Sequence, residues 1–410
     1  MRLVLSSIEQ RTARRGRPAR TGAAVHASLR RAAAGALLLV LLLPAWSSTA
    51  AGHPTESFPP DARPQGMAGA FTAVAEGPFA VCWNPAGLAH VQPISIAPYS
   101  RTERLPGVDR EPYGYAFGAT GHWGPFGLGA AFTTIGGWHE NDSAGFASGR
   151  TLWLGGGVDV THYTVPRWKG LSFSVGATLK HVSELSGRRY GHACHGIPAT
   201  WDVDLGALLA YRLRGGRGGV ELAAEPRRPK KLTRTRYRYV PLTRSDDGAY
   251  LGGRLGLSVR NVFHHRVACV ADEAYRPLDP SARFGAALKA GTAVAHPLGR
   301  VLSLLVSVEE ELLREREDPL TGEAATDRSI TRAGGEVTLL GLLAARGGWS
   351  DDPHLAAEGW SWGLGIGFDT WQPHPDVGQL GLRLDFARVP QAAGEAERPE
   401  HWTLALWVVH

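Results

Sequence analysis

The chain has 410 residues, 43% of them hydrophobic and 20% charged, with 52 Gly and 13 Trp, which excludes a disordered chain, a collagen and a small disulfide scaffold. Its formal charge is +6, but residues 1–51 hold eight Arg against one acid, Glu9, a net of +7; the remainder then carries 36 basic against 37 acidic residues, about −1. A body so close to neutral has no electrostatic footprint for a phosphate backbone, and no nucleic-acid partner is expected.

The amino-terminal stretch reads as an export signal. Behind the Arg cluster, residues 32–43 form an apolar run of 12, followed by Pro44 and the small residues Ser47-Ser48-Thr49-Ala50-Ala51. Positive region, short apolar run and small-residue zone are the three parts of a secretory signal peptide, here residues 1–51 with cleavage near Ala50 or Ala51. A run of this length is too short to cross roughly 30 Å of hydrocarbon as a helix. Export also makes the cysteines interpretable: Cys82, Cys194 and Cys269 allow one intramolecular bridge at most, so disulfides do not hold the chain together.

Residues 52–90 do not alternate in hydrophobicity. The spacing predicts a helical turn or two over 67–75 and a helix start at Asn84-Pro85. There the Asn amide oxygen can accept from a main-chain N–H nearby, and Pro at the first helical position forfeits no hydrogen bond. Trp83 and Leu88 flank that cap as apolar anchors. The expectation is a compact, Gly-rich plug at the entrance of a barrel, with Gly66, Met67, Gly69, Phe71, Trp83, Asn84, Pro85, Gly87 and Leu88 as its hatch or gating residues.

From residue 91 to 410 the dominant pattern is period two, the signature of strands with two chemically different faces. Leu171, Phe173, Val175, Ala177 and Leu179 alternate with Ser172, Ser174, Gly176, Thr178 and Lys180; Trp360, Trp362, Leu364, Ile366 and Phe368 alternate with Ser361, Gly363, Gly365 and Gly367. Such segments fall near 91–99, 112–121, 124–136, 150–162, 169–183, 199–212, 251–262, 281–291, 299–310, 330–340, 341–349, 359–370, 377–388 and 401–409, fourteen in all. An even number of strands of about 9 to 11 residues suits a closed barrel crossing a bilayer, the one alternative to helices that leaves no main-chain group unpaired in lipid. The fold class is therefore all-β, a fourteen-stranded antiparallel transmembrane barrel with a small amino-terminal hatch. A soluble β-sandwich would need two domains for so many strands, and no linker divides the chain. Trp153, Trp168, Trp201, Trp349, Trp360 and Trp402 fall at segment ends, where interfacial girdles would place them.

Three stretches interrupt the pattern. His192-Ala193-Cys194-His195 reads as an exposed loop, with no second cluster to complete a metal site. Residues 213–250, rich in Arg, Lys and Tyr, read as a long loop insertion with a hairpin of its own at 233–240. Glu309-Glu310-Glu311 onward to Glu323 reads as a strand end and a charged loop.

The run Gln65-Gly66-Met67-Ala68-Gly69-Ala70-Phe71-Thr72-Ala73-Val74-Ala75, followed by Trp83-Asn84-Pro85-Ala86-Gly87-Leu88, resembles the amino-terminal signature of the PorV/PorQ-like outer-membrane proteins, relatives of the FadL long-chain fatty acid transporters. Collinear matches continue through Lys180-His181, Trp201-Asp202-Val203-Asp204, Arg254 to Val262, Arg332 to Glu336, Ala345 to Trp349 and Gly363 to Gly367. The resemblance implies a fourteen-stranded barrel with a hatch in its lumen to which the Asn-Pro-Ala element belongs. It also implies passage of hydrophobic small molecules or, in one branch, service in type IX secretion as a shuttle for cargo proteins. The chain departs from the group in the length of 213–250, in Cys82, and in ending Trp407-Val408-Val409-His410 without the terminal aromatic that barrel assembly machinery prefers.

The leading expectation is a passive transporter in the cell outer membrane, gated by the hatch; the alternative is a component of a secretion system that binds secreted proteins. Partners are then outer-membrane lipid, a hydrophobic small-molecule substrate and the barrel assembly machinery. Lys180, Asp202, Asp204, Arg254, Arg260, Glu309, Arg383 and Asp385 are the polar lumen candidates, paired with one another because lone charges there are costly. The sequence is read as lacking a nucleophile elbow, a phosphate loop and a paired metal motif, and Ser148 lacks elbow spacing. No catalytic residue, metal or cofactor is expected, and the chain is not expected to be an enzyme.

Overall fold

The computed structural model describes residues 60–92, 94–102, 113–136, 148–161, 171–189, 192–194, 199–214, 248–263, 266–268, 275–277, 280–293, 302–315, 326–351, 359–371, 379–390 and 400–409. The expected leader, Trp168, His195 and the hairpin at 233–240 lie outside the described residues.

Fourteen strands form the wall: β1 (Ile94–Thr102), β2 (Tyr113–Trp123), β3 (Phe126–Gly136), β4 (Ser148–Asp159), β5 (Leu171–Arg189), β6 (Ala199–Arg214), β7 (Gly248–Arg260), β8 (Ser281–Ala293), β9 (Leu302–Glu315), β10 (Thr326–Leu339), β11 (Leu343–Ser350), β12 (Trp360–Trp371), β13 (Gln379–Arg388) and β14 (Glu400–Val409). Each pairs antiparallel with the next, and β1 pairs with β14, Ile94 opposite Val408 and Thr102 opposite Glu400, so the sheet closes on itself. Closure removes the edges that would otherwise expose unpaired main chain.

Period two decides what each side chain meets. In β12, Trp360, Trp362, Leu364, Ile366 and Phe368 point outward and are exposed, while Ser361, Gly363, Gly365 and Gly367 point inward and are buried. In β9, Leu302, Leu304 and Val306 point outward, and Ser303, Leu305 and Ser307 point inward. An outer wall so continuously apolar would be unsupported in water; in hydrocarbon it is the favourable surface.

The expected strands are all present, with corrected ends. β5, β6, β7, β9 and β10 run past the expected limits, so Leu213, Arg214 and residues 248–250 belong to strands, as does Glu309-Glu310-Glu311. These carboxylates have partners in the ladder: Arg283 and Arg332 meet Glu311 in the lumen, and Glu310, which has outward parity, accepts from the Thr331 hydroxyl opposite it. His192–Cys194 is not loop; it pairs as a short strand with Gly187–Arg189. Trp201, Trp360 and Trp402 are exposed on the outer face and Trp349 is half-buried, but Trp153 is 1% exposed and faces the lumen. Its parity with Thr151 and Gly155 turns it inward.

The amino-terminal segment threads the barrel. It forms two short helices, α1 (Ala62–Gln65) and α2 (Ala80–Trp83), and a 3₁₀ helix, Pro85–His90. Of the helical turns expected over 67–75 one forms, the Val74 and Ala75 N–H groups donating to Phe71 O at 2.9 and 2.7 Å, but no helix does. Ala68 and Gly69 take φ of 54° and 80°, and the N–H groups of Phe71 and Thr72 are taken by Glu309 Oε2 of β9 at 3.0 and 2.7 Å, so the wall replaces the bonds a helix would have made.

Candidate functional site

The hatch seats against the wall with almost no space between backbones. Every residue from Ala70 to Ala75 and from Pro78 to Ala89 is buried. Glycines of the wall make this possible: a Cβ at Gly127, Gly176, Gly206, Gly334 or Gly348 would overlap hatch atoms of Leu88, Pro85, Asn84 or Met67. Gly66 packs on Gly363 of β12, and Gly69 lies beside the Arg332 side chain. Met67 is pressed on Gly334 and Gly348, and Leu88 on Gly129. Gly87 is required by Ala75, whose carbonyl fills the place of its side chain.

Asn84 joins the parts of this plug. Its Oδ1 accepts from Ala86 N at 3.1 Å, capping the 3₁₀ helix that Pro85 begins, and its Nδ2 donates to Thr72 O at 2.9 Å and to Ala207 O of β6 at 3.2 Å. Phe71 and Trp83 meet edge to face at 5.7 Å, Trp83 Nε1 donates to Pro60 O, and the Arg283 guanidinium lies 5.8 Å from the Trp83 ring.

The polar lumen candidates all lie on the inner face, and the structure adds partners to them. Lys180 Nζ pairs with Asp204 Oδ1 at 2.9 Å; Asp204 also accepts from Asn261 N, and Asp202 accepts from Val203 N and Phe263 N, which ties off the end of β7. Arg260 is buried near that end. Glu309 sits between Arg283 and Arg332, which both also pair with Glu311.

A longer chain of charges crosses the lumen through the hatch. Arg254 of β7 donates to Val74 O at 2.8 Å and lies 3.4 Å from Glu76 Oε2; Glu76 Oε1 accepts from Arg63 at 2.9 Å. Arg63 grips Glu336 of β10 with two bonds of 2.9 Å, a planar fork on a carboxylate. Glu336 accepts in turn from Arg346 of β11 and Arg383 of β13, which converge on Asp385 Oδ1 at 2.7 and 2.8 Å. Arg63, Glu76, Arg283, Glu311, Arg332, Glu336 and Arg346 were not among the expected site residues. Arg283, Arg332, Glu336 and Arg346 share strand parity with Gly285, Gly334 and Gly348, a cue legible in the sequence; Arg63 and Glu76 carry none.

Two hatch groups titrate between about pH 4 and 7. Burial, with Arg254 adding to it, pushes the His90 imidazole from 6.5 down to about 4, so the docked hatch holds it neutral. Burial, with Asp385 adding to it, raises the Asp61 carboxyl from 3.8 to about 7. The signs oppose. His90 weakens docking as pH falls from 6.5 towards 4, and Asp61 weakens it as pH rises from 3.8 towards 7. Asp61→Asn is expected to leave the His90 contribution alone, so that protease sensitivity of the hatch rises steadily as pH falls below 6.5; a flat profile in that variant rejects the assignment.

Neither of two Ser arrangements forms a nucleophile site. His90 Nε2 lies 2.6 Å from Ser174 Oγ, but Ser174 is 0% exposed and the contact pins the end of the 3₁₀ helix to β5. Gly359-Trp360-Ser361-Trp362-Gly363 does spell Gly-x-Ser-x-Gly, contrary to the sequence reading, yet it runs along β12 and is followed by strand where an elbow needs a helix. Among the described residues no group of three or more His, Cys, Asp or Glu side chains could hold a metal ion.

No family model matches the chain, and no curated protein matches it. Solved structures do. The toluene transporter TbuX of Ralstonia pickettii matches at 11% identity over 85% of this chain and 97% of its own, with a TM-score of 0.42. A FadL homologue of Pseudomonas aeruginosa matches at 12% identity over 86% and 98%, with a TM-score of 0.43. The Pseudomonas putida toluene transporter TodX matches at 13% identity over 84% and 95%, with a TM-score of 0.35.

Proposed function

We propose that the chain is a passive outer-membrane transporter for hydrophobic small molecules, of FadL type, in which the amino-terminal hatch gates the lumen. The observation that supports it is a contrast in bonding. The strands are knitted by main-chain ladders, whereas the hydrogen bonds from hatch to wall run through side chains such as Glu309, Asn84, Thr178 and Thr403. A plug held in this way can be displaced without opening the sheet. The apolar outer wall supports a barrel seated in lipid, and nothing in the arrangement requires bond chemistry.

Asn84→Ala tests the reading. It removes a helix cap, worth about 1 kcal/mol in ordinary helices, and strips a donor from two further carbonyls. Uptake of a lipophilic dye by cells carrying the variant is expected to rise several-fold, while the barrel still shows the heat-dependent gel mobility of a folded wall. Equal uptake by variant and parent would count against gating.

A further inference from the structure

The hatch is built from two halves of different chemistry. Residues 61–76 carry the charged contacts, Arg63 on Glu336, Glu76 on Arg254, and the Phe71 and Thr72 amides on Glu309, beside the packing of Met67 and Ala73 on wall glycines. Residues 79–91 are held by shape and neutral bonds: Pro85 and Leu88 on the glycines of β3, β4 and β5, Val81 O on Thr178, and His90 on Ser174. Between them stands Gly77. Its φ is +98°, a conformation open to glycine and strained for other residues, and a Cβ there would meet nothing within 4 Å. It is thus the one point in a tightly seated segment where the main chain has both rotational freedom and room.

Building on the proposed gating function, we propose that the hatch opens in part: residues 61–76 swing about Gly77 while residues 79–91 stay seated, and Arg63 and Glu76 are the latch. The two latch residues bond to each other and each to a different strand, β10 and β7. Their opposite charges cancel each other, and Asp61 is the other ionisable group of the swinging half. The motion breaks charge-assisted bonds that water can replace as it enters, together with the Asn84 bond to Thr72 and the Phe71 contact on Trp83. The second half has no ion pair to exchange, because residues 79–91 hold no Asp, Glu, Lys or Arg; its wall contacts are packing against glycine and the neutral bonds of Val81, Asn84 and His90.

The test uses the full chain in lipid vesicles with Cys82, Cys194 and Cys269 replaced by Ser and one reporter thiol introduced, Ala70→Cys in the first half or Ala89→Cys in the second. Both positions are buried, at 0% and 1%. Labelling by a water-soluble maleimide is timed with the latch intact, with Glu76→Gln, and with Arg63→Lys as a second variant that keeps the charge but not the fork. Folding of each is read from heat-dependent mobility. The expected result is labelling at position 70 accelerated by about tenfold or more in both latch variants, the ratio set by losing one charge-assisted hydrogen bond, with position 89 unchanged. Acceleration at both positions overturns the hinge and leaves lumen gating standing, since the hatch then leaves whole. Position 70 labelled at one rate with or without the latch, but faster than position 89, overturns the latch. No labelling at either position in any variant, while lipophilic dye still enters cells, overturns hatch gating itself.

Discussion

Glu336→Ala is expected to lower the stability of the folded barrel in detergent by about 3–5 kcal/mol, the usual cost of removing one partner from a buried ionic group. Glu336 is buried and is shared by three guanidinium groups, Arg63 from the hatch, Arg346 from β11 and Arg383 from β13. Its removal leaves Arg63 with Glu76 and Arg383 with Asp385, but it leaves three buried guanidinium groups short of one carboxylate. The double variant Glu336→Met with Arg346→Met separates the two meanings of a buried salt bridge. It removes one charge of each sign and keeps the Arg63–Glu76 and Arg383–Asp385 pairs, so it is expected to lie closer to the parent than the single variant. Urea unfolding followed by tryptophan emission measures both. A single variant as stable as the parent would show the network to be hydrated and of little weight.

The wall was legible because strand periodicity is a local property. Knowing that Leu364 and Ile366 face one way is enough to put Gly363 and Gly365 on the other, and the same parity turned Lys180, Asp202, Glu309 and Asp385 inward. The Trp153 error came from reading residue type over parity. The hatch was legible only where its chemistry is also local, at the Asn84 cap and Pro85. Arg63 finds its partner 273 residues away, and the turned, non-helical path over 67–75 is bonded to the Glu309 carboxylate 238 residues on from Phe71. No window of sequence contains either relation. The glycines lay between these cases: their inward parity could be read, but that they receive the backbone of the hatch required the hatch to be in place.

Gly206→Val puts that relation under load. A Cβ at Gly206 would overlap Asn84 Oδ1 and would lie 2.9 Å from both Ala86 N and Pro85 Cδ, so the cap and the start of the 3₁₀ helix must move. Neither neighbour is the free end of a flexible side chain, and the strand cannot retreat without breaking its ladders with β5 and β7. The strain is therefore expected to fall on the hatch, the more weakly bonded body, at a cost in docking of about 1–3 kcal/mol or more for overpacking. The wall itself should still assemble, because the valine points into the lumen and leaves the lipid face unchanged. Conductance across planar bilayers is expected to rise and the hatch to become sensitive to added protease, with heat-dependent mobility retained. Gly347→Ala is the matched control: a Cβ there meets nothing within 4 Å, and the variant is expected to behave as the parent. If Gly206→Val instead fails to assemble while its hatch-free counterpart does assemble, the hatch is a folding template for the wall and its seating precedes closure. If the valine variant assembles with the parent's conductance and protease resistance, the seating of Asn84 against β6 has no part in closing the lumen.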